Sequence, residues 1–514
     1  MSVSLEISPA RLLDAMPEAF VSNARISNAV SRRVKAGRLR KLATRLYTSN
    51  LKDPPQDIVR RNLWNIVAGY FPGALVADRT AFELAPASDG SVCLVAPRGA
   101  DIALPGVVLR VRRGSPHEDD PPFMGQPLHV SSPARSYLDN LCASRGRGGR
   151  LPRTLSRIKV EERLERMMAT AGPATVNQLR DDARRIAGVL DRTEQQGELD
   201  RIAAALSGTG QATLAAPAAR ARAQGRPYDS SRVAMFEELF AALQQAPEPT
   251  RPPGARDGTG HTTLAFFEAY FSNYIEGTKF ALEEAADIVF GGHVPQQRPA
   301  DAHDILGVWR VVSDPAEMRI VPATAAELAD LLRRRHATVL GGREGAAPGE
   351  FKTRANRAGP TVFVAPEALL GTMDRGFAIY RDLQSAFHRA VFMHCMVSEL
   401  HPFADGNGRL ARIMMNAELV SANEERIVIP TMYRSNYIAA LRSLSAGHSA
   451  EPAVRMLAYA WRWTCAVEWA GFGDTAAQLR ACHAFEEEQA AEQKDVRLAM
   501  PDSPDAGTKN ETGI

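Results

Sequence analysis

Two apolar stripes of helical period meet at a glycine-rich turn between residues 401 and 412, and this constrains the fold of the 514-residue chain more tightly than any other feature. Ahead of the turn, Leu383, Phe387, Val391, His394 and Val397 recur at steps of four and three, one face of a buried helix. Pro402 disfavours helical geometry at His401, so that helix ends there. Beyond it, Leu410, Ile413, Met414 and Ala417 mark a second core helix starting near Arg409. Gly406 and Gly408 therefore stand at the N-terminus of that second helix. Glycines there let backbone N–H groups converge unobstructed, and the helix dipole adds partial positive charge, which is how a phosphate is held. Asp405 at the mouth supplies a hard oxygen suited to Mg²⁺ shared with phosphates. Arg409 and Arg412, on neighbouring positions of one helical face, can reach further phosphate oxygens. His401 is the side chain here suited to proton transfer at neutral pH. Together these residue types specify phosphoryl or nucleotidyl transfer. His388 and His394, on the helix before the turn, read as core histidines, and Met414-Met415 as core filling.

The string His401-Pro402-Phe403-Ala404-Asp405-Gly406-Asn407-Gly408-Arg409-Leu410-Ala411-Arg412 resembles the HPFx(D/E)GN(G/K)RxxR signature of the Fic (filamentation induced by cAMP) family. The resemblance runs from about Phe266 to Trp463. It implies an all-helical domain that transfers AMP from ATP to a Ser, Thr or Tyr hydroxyl of a target protein, and of itself. In that reading His401 deprotonates the hydroxyl and Asp405 holds Mg²⁺ against the phosphates. Gly406, Asn407 and Gly408 stabilise charge on the α-phosphate, Arg409 and Arg412 fix the β- and γ-phosphates, and Phe403 points inward to anchor the loop. Pairing of two copies through helices is a further option the resemblance carries, with no apolar seam in the sequence to specify it.

Upstream, Ser272, Glu276 and Gly277 fit the same family's inhibitory-helix pattern, (S/T)xxxE(G/N), in an aromatic-rich amphipathic helix. The implied device is electrostatic: Glu276 pairs with Arg409 and occupies the space of the γ-phosphate. Between that helix and the motif, Phe351–Arg354 and Thr361–Val364 read as two extended runs about a turn through Asn356 and Gly359-Pro360. By resemblance this hairpin is the flap, whose Thr361, Val362 and Phe363 dock the target by strand addition.

The front of the chain differs. Residues 19–52 hold Arg25, Arg32, Arg33, Lys35, Arg38, Arg40, Lys41, Arg45 and Lys52 and no acidic residue. Ile26, Val30 and Val34 form the buried stripe of a short helix that Gly37 stops, with Asn28 among its polar positions; Arg38–Leu42 and Arg45–Tyr47 pair as a wing. A basic helix plus a basic hairpin suits DNA, with Arg25, Asn28, Arg32, Arg33, Lys35, Arg38 and Arg40 as contacts. This part, with GRLRKLATRLY and the later HVSSPARSYLDNL, resembles the winged-helix antitoxins of abortive-infection toxin–antitoxin pairs, which repress their own operons. A second reading follows: a non-enzymatic, DNA-binding regulator in which the Fic fold senses nucleotide. Transfer of another nucleotide or of a phosphate group is the alternative within enzymes.

Composition sets the remaining bounds. Lys+Arg 62 against Asp+Glu 59 leaves +3, so any nucleic-acid site is a local patch. No run of apolar residues is long enough to span a membrane. The opening MSVSLEISPARLLDAM lacks a basic start followed by an apolar run, and five scattered cysteines without CxxC spacing favour reduced thiols; both readings place the chain in a cytoplasm. The expected fold is mainly α, an all-helical Fic domain preceded by a winged-helix and small α/β region. Texture divides the chain into a winged-helix-like part (1–75), a small α/β part (76–145), a helical connecting region (146–245), a linker (246–261), the Fic domain (262–470) and a disordered tail (484–514).

Overall fold

The computed structural model describes residues 13, 15–146, 148–252, 260–447 and 449–501; the middle of the expected linker and the end of the expected tail lie outside the described residues. The chain divides into two compact units, Met1–Gly225 and Arg226–Ile514. The first is mixed α/β with small sheets and the second mostly helical, as the expected fold class has it.

In the first unit, β1 (Ala19–Val21), β3 (Leu46–Thr48) and β2 (Arg40–Ala43) form an antiparallel sheet in the order β1-β3-β2. Helix α1 (Ser27–Lys35) lies in the chain between β1 and β2. Its Ala29 and Val30 pack with Phe20, Ile26 and Leu39, while Val34 is half-buried. Gly37 closes the helix with φ 67°, a conformation that favours glycine. A second sheet takes β4 (Leu75–Val76), β5 (Ser91–Ala96), β6 (Ile102–Leu104), β7 (Val107–Arg113) and β8 (His129–Val130) in the order β6-β7-β5-β4-β8. Its core includes Val92, Leu94 and Leu109 with Ile66 and Val67 of α3 (Leu63–Tyr70), Ile58 of α2 (Pro55–Arg61) and Leu46 of β3, so apolar residues on both sides of position 75 share one interior. Helix α4 (Pro133–Asn140) starts as its sequence reads: Pro133 is at its first turn and Ser132 Oγ accepts the Arg135 N–H. Helices α5 (Arg157–Ala187) and α6 (Thr193–Leu206) build a further core, with α5 broken at Gly172 (φ 81°) ahead of Pro173.

The second unit is assembled around α12 (Ala386–Leu400) and α13 (Asn407–Ser421), the two helices flanking the 401–406 turn. Around them lie α7 (Ser230–Gln245), α8 (His261–Ile275), α9 (Pro299–Val312), α10 (Ala325–Val339), α11 (Leu369–Tyr380), α14 (Arg434–Ser445) and α15 (Glu451–Ala466). Phe236 and Leu239 of α7 belong to the same core as Phe392, Met396, Leu410 and Met414. The last stretch of the region read as connecting, α7, thus packs inside this unit. Phe266, Phe267 and Phe271 of α8 join a second core with Trp463 and Ile413. Where the sequence reads a tail from 484, residues 484–501 instead fold against this unit: Ala484 and Ala491 are buried and α17 (Glu488–Lys494) follows α16 (Phe472–Ala481). All five cysteines are free thiols, and no helix among the described residues is long and apolar enough to cross a membrane.

Candidate active site

Helix α12 ends at Leu400, and His401 turns the chain out of it with φ 47° and ψ 58°. That left-handed geometry is uncommon for a residue with a Cβ. The His401 Nδ1 faces the Ser398 carbonyl at 3.2 Å, so Nδ1–H donates there and Nε2 is left as the basic nitrogen. Its ring lies flat on Phe363, 3.7 Å between centroids and 3° between planes. Burial, with the Lys352 ammonium adding to it, pushes the His401 pKa down to about 4 against the pull of Ser398, Glu276 and Asp405. The imidazole is neutral at pH 7.

The turn behind it is held from within. Asn407 Oδ1 accepts the Phe403 N–H at 2.9 Å and its Nδ2 donates to the Phe403 carbonyl at 2.8 Å, so this side chain braces the loop backbone. Phe403 is fully buried, the inward anchor the motif implies, and stacks on His336 of α10 at 3.7 Å. His336 accepts the Gly349 N–H at Nδ1 and donates from Nε2 to the Asp405 carbonyl at 3.1 Å. Burial keeps it deprotonated by lowering its pKa. Gly406 takes φ 76° and α13 begins at Asn407, two residues earlier than the apolar stripe suggests. The Asp405 carboxylate, 56% exposed, accepts the Gly406 N–H and stands at the mouth.

The arginines differ from expectation. Glu276 pairs with Arg412, not Arg409: Glu276 Oε1 lies 2.7 Å from Arg412 Nη2. Ser272 and Glu276, one turn apart at the end of α8, both address this guanidinium, Ser272 through Oγ (2.9 Å from Nε) and its carbonyl (2.9 Å from Nη2). Arg412 Nη1 donates to the Tyr437 hydroxyl at 3.2 Å, and that oxygen contacts His394 Nε2 at 2.8 Å. Arg409 is claimed elsewhere, by Asp304 of α9 at 2.7 Å. Asp304 also binds Arg343 at 2.8 Å and is itself 2% exposed. Gly277, at φ 96°, lets the chain leave α8 directly after Glu276. The Glu276 carboxylate sits where a side chain on Gly408 would project, over the N-terminus of α13. A carboxylate thus stands at this helix N-terminus.

Asp304, Arg343, His336 and Lys352 are the site residues that pattern reading misses, since each arrives from a different element by tertiary packing. Removing the Asp304 carboxylate leaves two arginines without their shared counter-charge. Asp304→Ala is therefore expected to lower unfolding free energy by about 3–5 kcal/mol, read from urea denaturation.

The hairpin consists of β9 (Arg357–Ala358) and β10 (Thr361–Val362), antiparallel about Gly359-Pro360. The expected first run at Phe351–Arg354 is not a hairpin strand; Lys352 there bonds to the 401–406 turn and the end of α12. Val362 is 60% exposed, while Phe363, by the alternation of extended chain, faces inward onto His401.

In the first unit, Arg25, Asn28, Arg32, Lys35 and Arg38 are exposed along α1 and its exit, with Lys41 and Arg45 on the following hairpin. Arg33 is half-buried, and Arg40 differs from its expected role in donating to the Asp53 carbonyl at 2.6 Å.

Residues 327–419 match the model of the Fic/DOC family. A protein adenylyltransferase Fic from Drosophila virilis is 29% identical over 201 residues, 37% of this chain and 41% of that protein. The protein of the same name from Drosophila melanogaster is 28% identical over 214 residues, 39% of this chain and 42% of its own. The chain thus spans about two-fifths of the length of the curated relatives it matches. Among solved structures, Fic-1 (residues 134–508) from C. elegans aligns with a TM-score of 0.35 at 19% identity, covering 60% of this chain and 91% of that one.

Proposed function

We propose that this Fic-domain chain transfers AMP from ATP to the hydroxyl of a Ser, Thr or Tyr on a target protein and on itself, and that Glu276 restrains it. The observation that carries the reading is the convergence on one turn of a neutral imidazole, a glycine-framed helix N-terminus and two buried arginines. Arg409 Nε is buried without a hydrogen-bond partner among the described residues, a donor that suits an incoming phosphate oxygen. In the transfer, His401 Nε2 takes the proton of the target hydroxyl. The alkoxide oxygen bonds to the α-phosphorus as the bond to the β-phosphate oxygen breaks, and pyrophosphate leaves. The N–H groups at the start of α13 face the charge that develops. Asp405 is the residue that would hold Mg²⁺, and its exposed carboxylate at the phosphate end fits a cation that shares few protein ligands. When bound, that ion supplies neutralisation of phosphate charge. The brake acts at Arg412 rather than Arg409: while Glu276 holds Nη2 and fills the space over Gly408, that guanidinium cannot meet the nucleotide.

Incubating the protein and its Glu276→Gly variant with labelled ATP, UTP, GTP and CTP and Mg²⁺ tests the reading. Label from ATP on protein is expected; label from another nucleotide reassigns the donor, and none from any supports the nucleotide-sensing regulator. A pH profile of kcat/KM checks the base. Only the neutral imidazole accepts a proton, so activity is expected to hold from pH 8 to about 5 and to fall as pH drops through about 4. An acid limb near 6.5, the ordinary histidine value, would contradict the buried geometry.

For the first unit we propose DNA binding through α1 and the hairpin after it, supported by the exposed Arg25, Asn28, Arg32, Lys35 and Arg38 in a segment without acidic residues. Phosphate contacts release counterions, so affinity for its own promoter DNA is expected to fall with a log–log salt slope of about −4 to −5. A salt-independent signal would remove the proposal.

A further inference from the structure

His401 occupies a backbone geometry that two local rules oppose. A side chain bearing Cβ resists the left-handed region by about 1–2 kcal/mol, and a residue before proline is steered to extended conformations. Something must hold it, and the contacts around the turn identify what does. The Lys352 N–H donates to the Pro402 carbonyl at 2.9 Å. The Lys352 ammonium, in a residue only 6% exposed, donates to the Leu400 carbonyl at 3.2 Å and to Asn356 Oδ1 at 2.8 Å. Asn356 Nδ2 in turn donates to the Phe403 carbonyl at 2.9 Å. The carbonyls of residues 400, 402 and 403, on either side of His401, are thus all tied to Lys352 and Asn356.

Asn356 also stands at the start of the hairpin. Asn356 receives the Phe363 N–H on its carbonyl at 3.1 Å, and Phe363 is the residue stacked on the imidazole. Arg232 of α7 closes the other side, donating Nη2 to the Val362 carbonyl at 2.7 Å while pairing with Glu399, two residues before His401. Base and hairpin are one hydrogen-bonded body.

We propose that Lys352 and Asn356 are positioning residues for His401, holding its turn in register and tying its placement to the hairpin that presents the target. This rests on His401 serving as the base. Charged groups face the imidazole from three elements: Lys352 from the hairpin approach opposes its protonation, while Glu276 from the end of α8 and Asp405 from the turn favour it. Arg232 faces Lys352, and burial together with that cation lowers the lysine to about 8, so it remains charged at pH 7.

The test uses the full chain carrying Glu276→Gly, with Lys352→Met, Lys352→Arg or Asn356→Ala added. One readout is independent of activity: titration and ring-current shift of the His401 signals by NMR with labelled histidine, assigned against His401→Ala. Lys352→Met is expected to raise the His401 titration midpoint by about one unit, because a cation is lost. Lys352→Arg should leave it within a few tenths of the parent. Asn356→Ala should remove part of the shift imposed by the Phe363 ring, which keeps the proposal testable should Lys352→Met fail to fold. The second readout is kinetic: Lys352→Met and Asn356→Ala should each lose about 10- to 100-fold in kcat with KM for ATP within twofold, the pattern of a misplaced base. Parent-like His401 signals in Asn356→Ala, or a parent-like midpoint in folded Lys352→Met, overturn the proposal. If the parent transfers no nucleotide, the adenylyl-transfer reading falls, and the NMR readout alone decides this one.

Discussion

Glycine in place of Glu276 is expected to raise labelling of the protein from ATP carrying label on its α-phosphorus by about 10- to 100-fold, the range that a charge-assisted hydrogen bond of about 1.5–3 kcal/mol converts to. The carboxylate does two things at once. It holds Arg412 Nη2 at 2.7 Å, and it fills the space over Gly408 at the start of α13. Substitution clears both, and the backbone tolerates it, because Glu276 already lies at the end of α8 where the following Gly277 turns the chain away. Ser272 keeps its two contacts to Arg412, so the guanidinium stays near the site. Equal labelling of parent and variant would remove the restraint from the account. Glu276→Gln separates the two effects: it keeps the bulk, loses the charge, and is expected to fall between them.

His401→Ala in the Glu276→Gly background is expected to cut transfer by about 100- to 10,000-fold, the usual contribution of a positioned general base. Loss of fold would be an uninteresting cause, and the surroundings argue against it. Among the described residues, the imidazole bonds to a single carbonyl, that of Ser398, and stacks on a single ring. The α12–α13 core beneath it contains Phe403, Leu400 and Leu410, none of which depends on the histidine side chain. The circular-dichroism melting curve should therefore overlay the parent's within a few degrees. Retained transfer in a folded His401→Ala protein would mean that the hydroxyl loses its proton to another group.

The parts legible in the sequence are those whose cause is local. Pro402 ends α12, Gly37 and Gly406 mark left-handed turns, and Ser132-Pro133 opens α4, because each acts through its own dihedrals or its own side chain. The period of apolar residues likewise announces α12 and α13. What was not legible is choice among neighbours. Arg409 and Arg412 are equivalent by spacing, and the partner of Glu276 is decided by Asp304, about a hundred residues from either, which takes Arg409 first. Alternation alone could not say which of Val362 and Phe363 faces inward; packing on His401 decides it. Nor does polar composition reveal that residues 484–501 fold: Phe485 packs among Phe267, Tyr270 and Phe271, Leu498 and Met500 lie against the same core, and Trp463 Nε1 donates to the Ala499 carbonyl.

The full engagement of Arg412 has a thermodynamic corollary. On the proposed function, the Glu276 carboxylate on Arg412 Nη2 and a bound nucleotide exclude one another, so occupancy by ATP and docking of the α8 terminus would be competing states of one cation. Reciprocity then requires that saturating nucleotide loosen that terminus by as much as the terminus weakens the nucleotide. Amide exchange at Ile275–Gly277 should accelerate as ATP is added, making the helix end itself a gauge of occupancy.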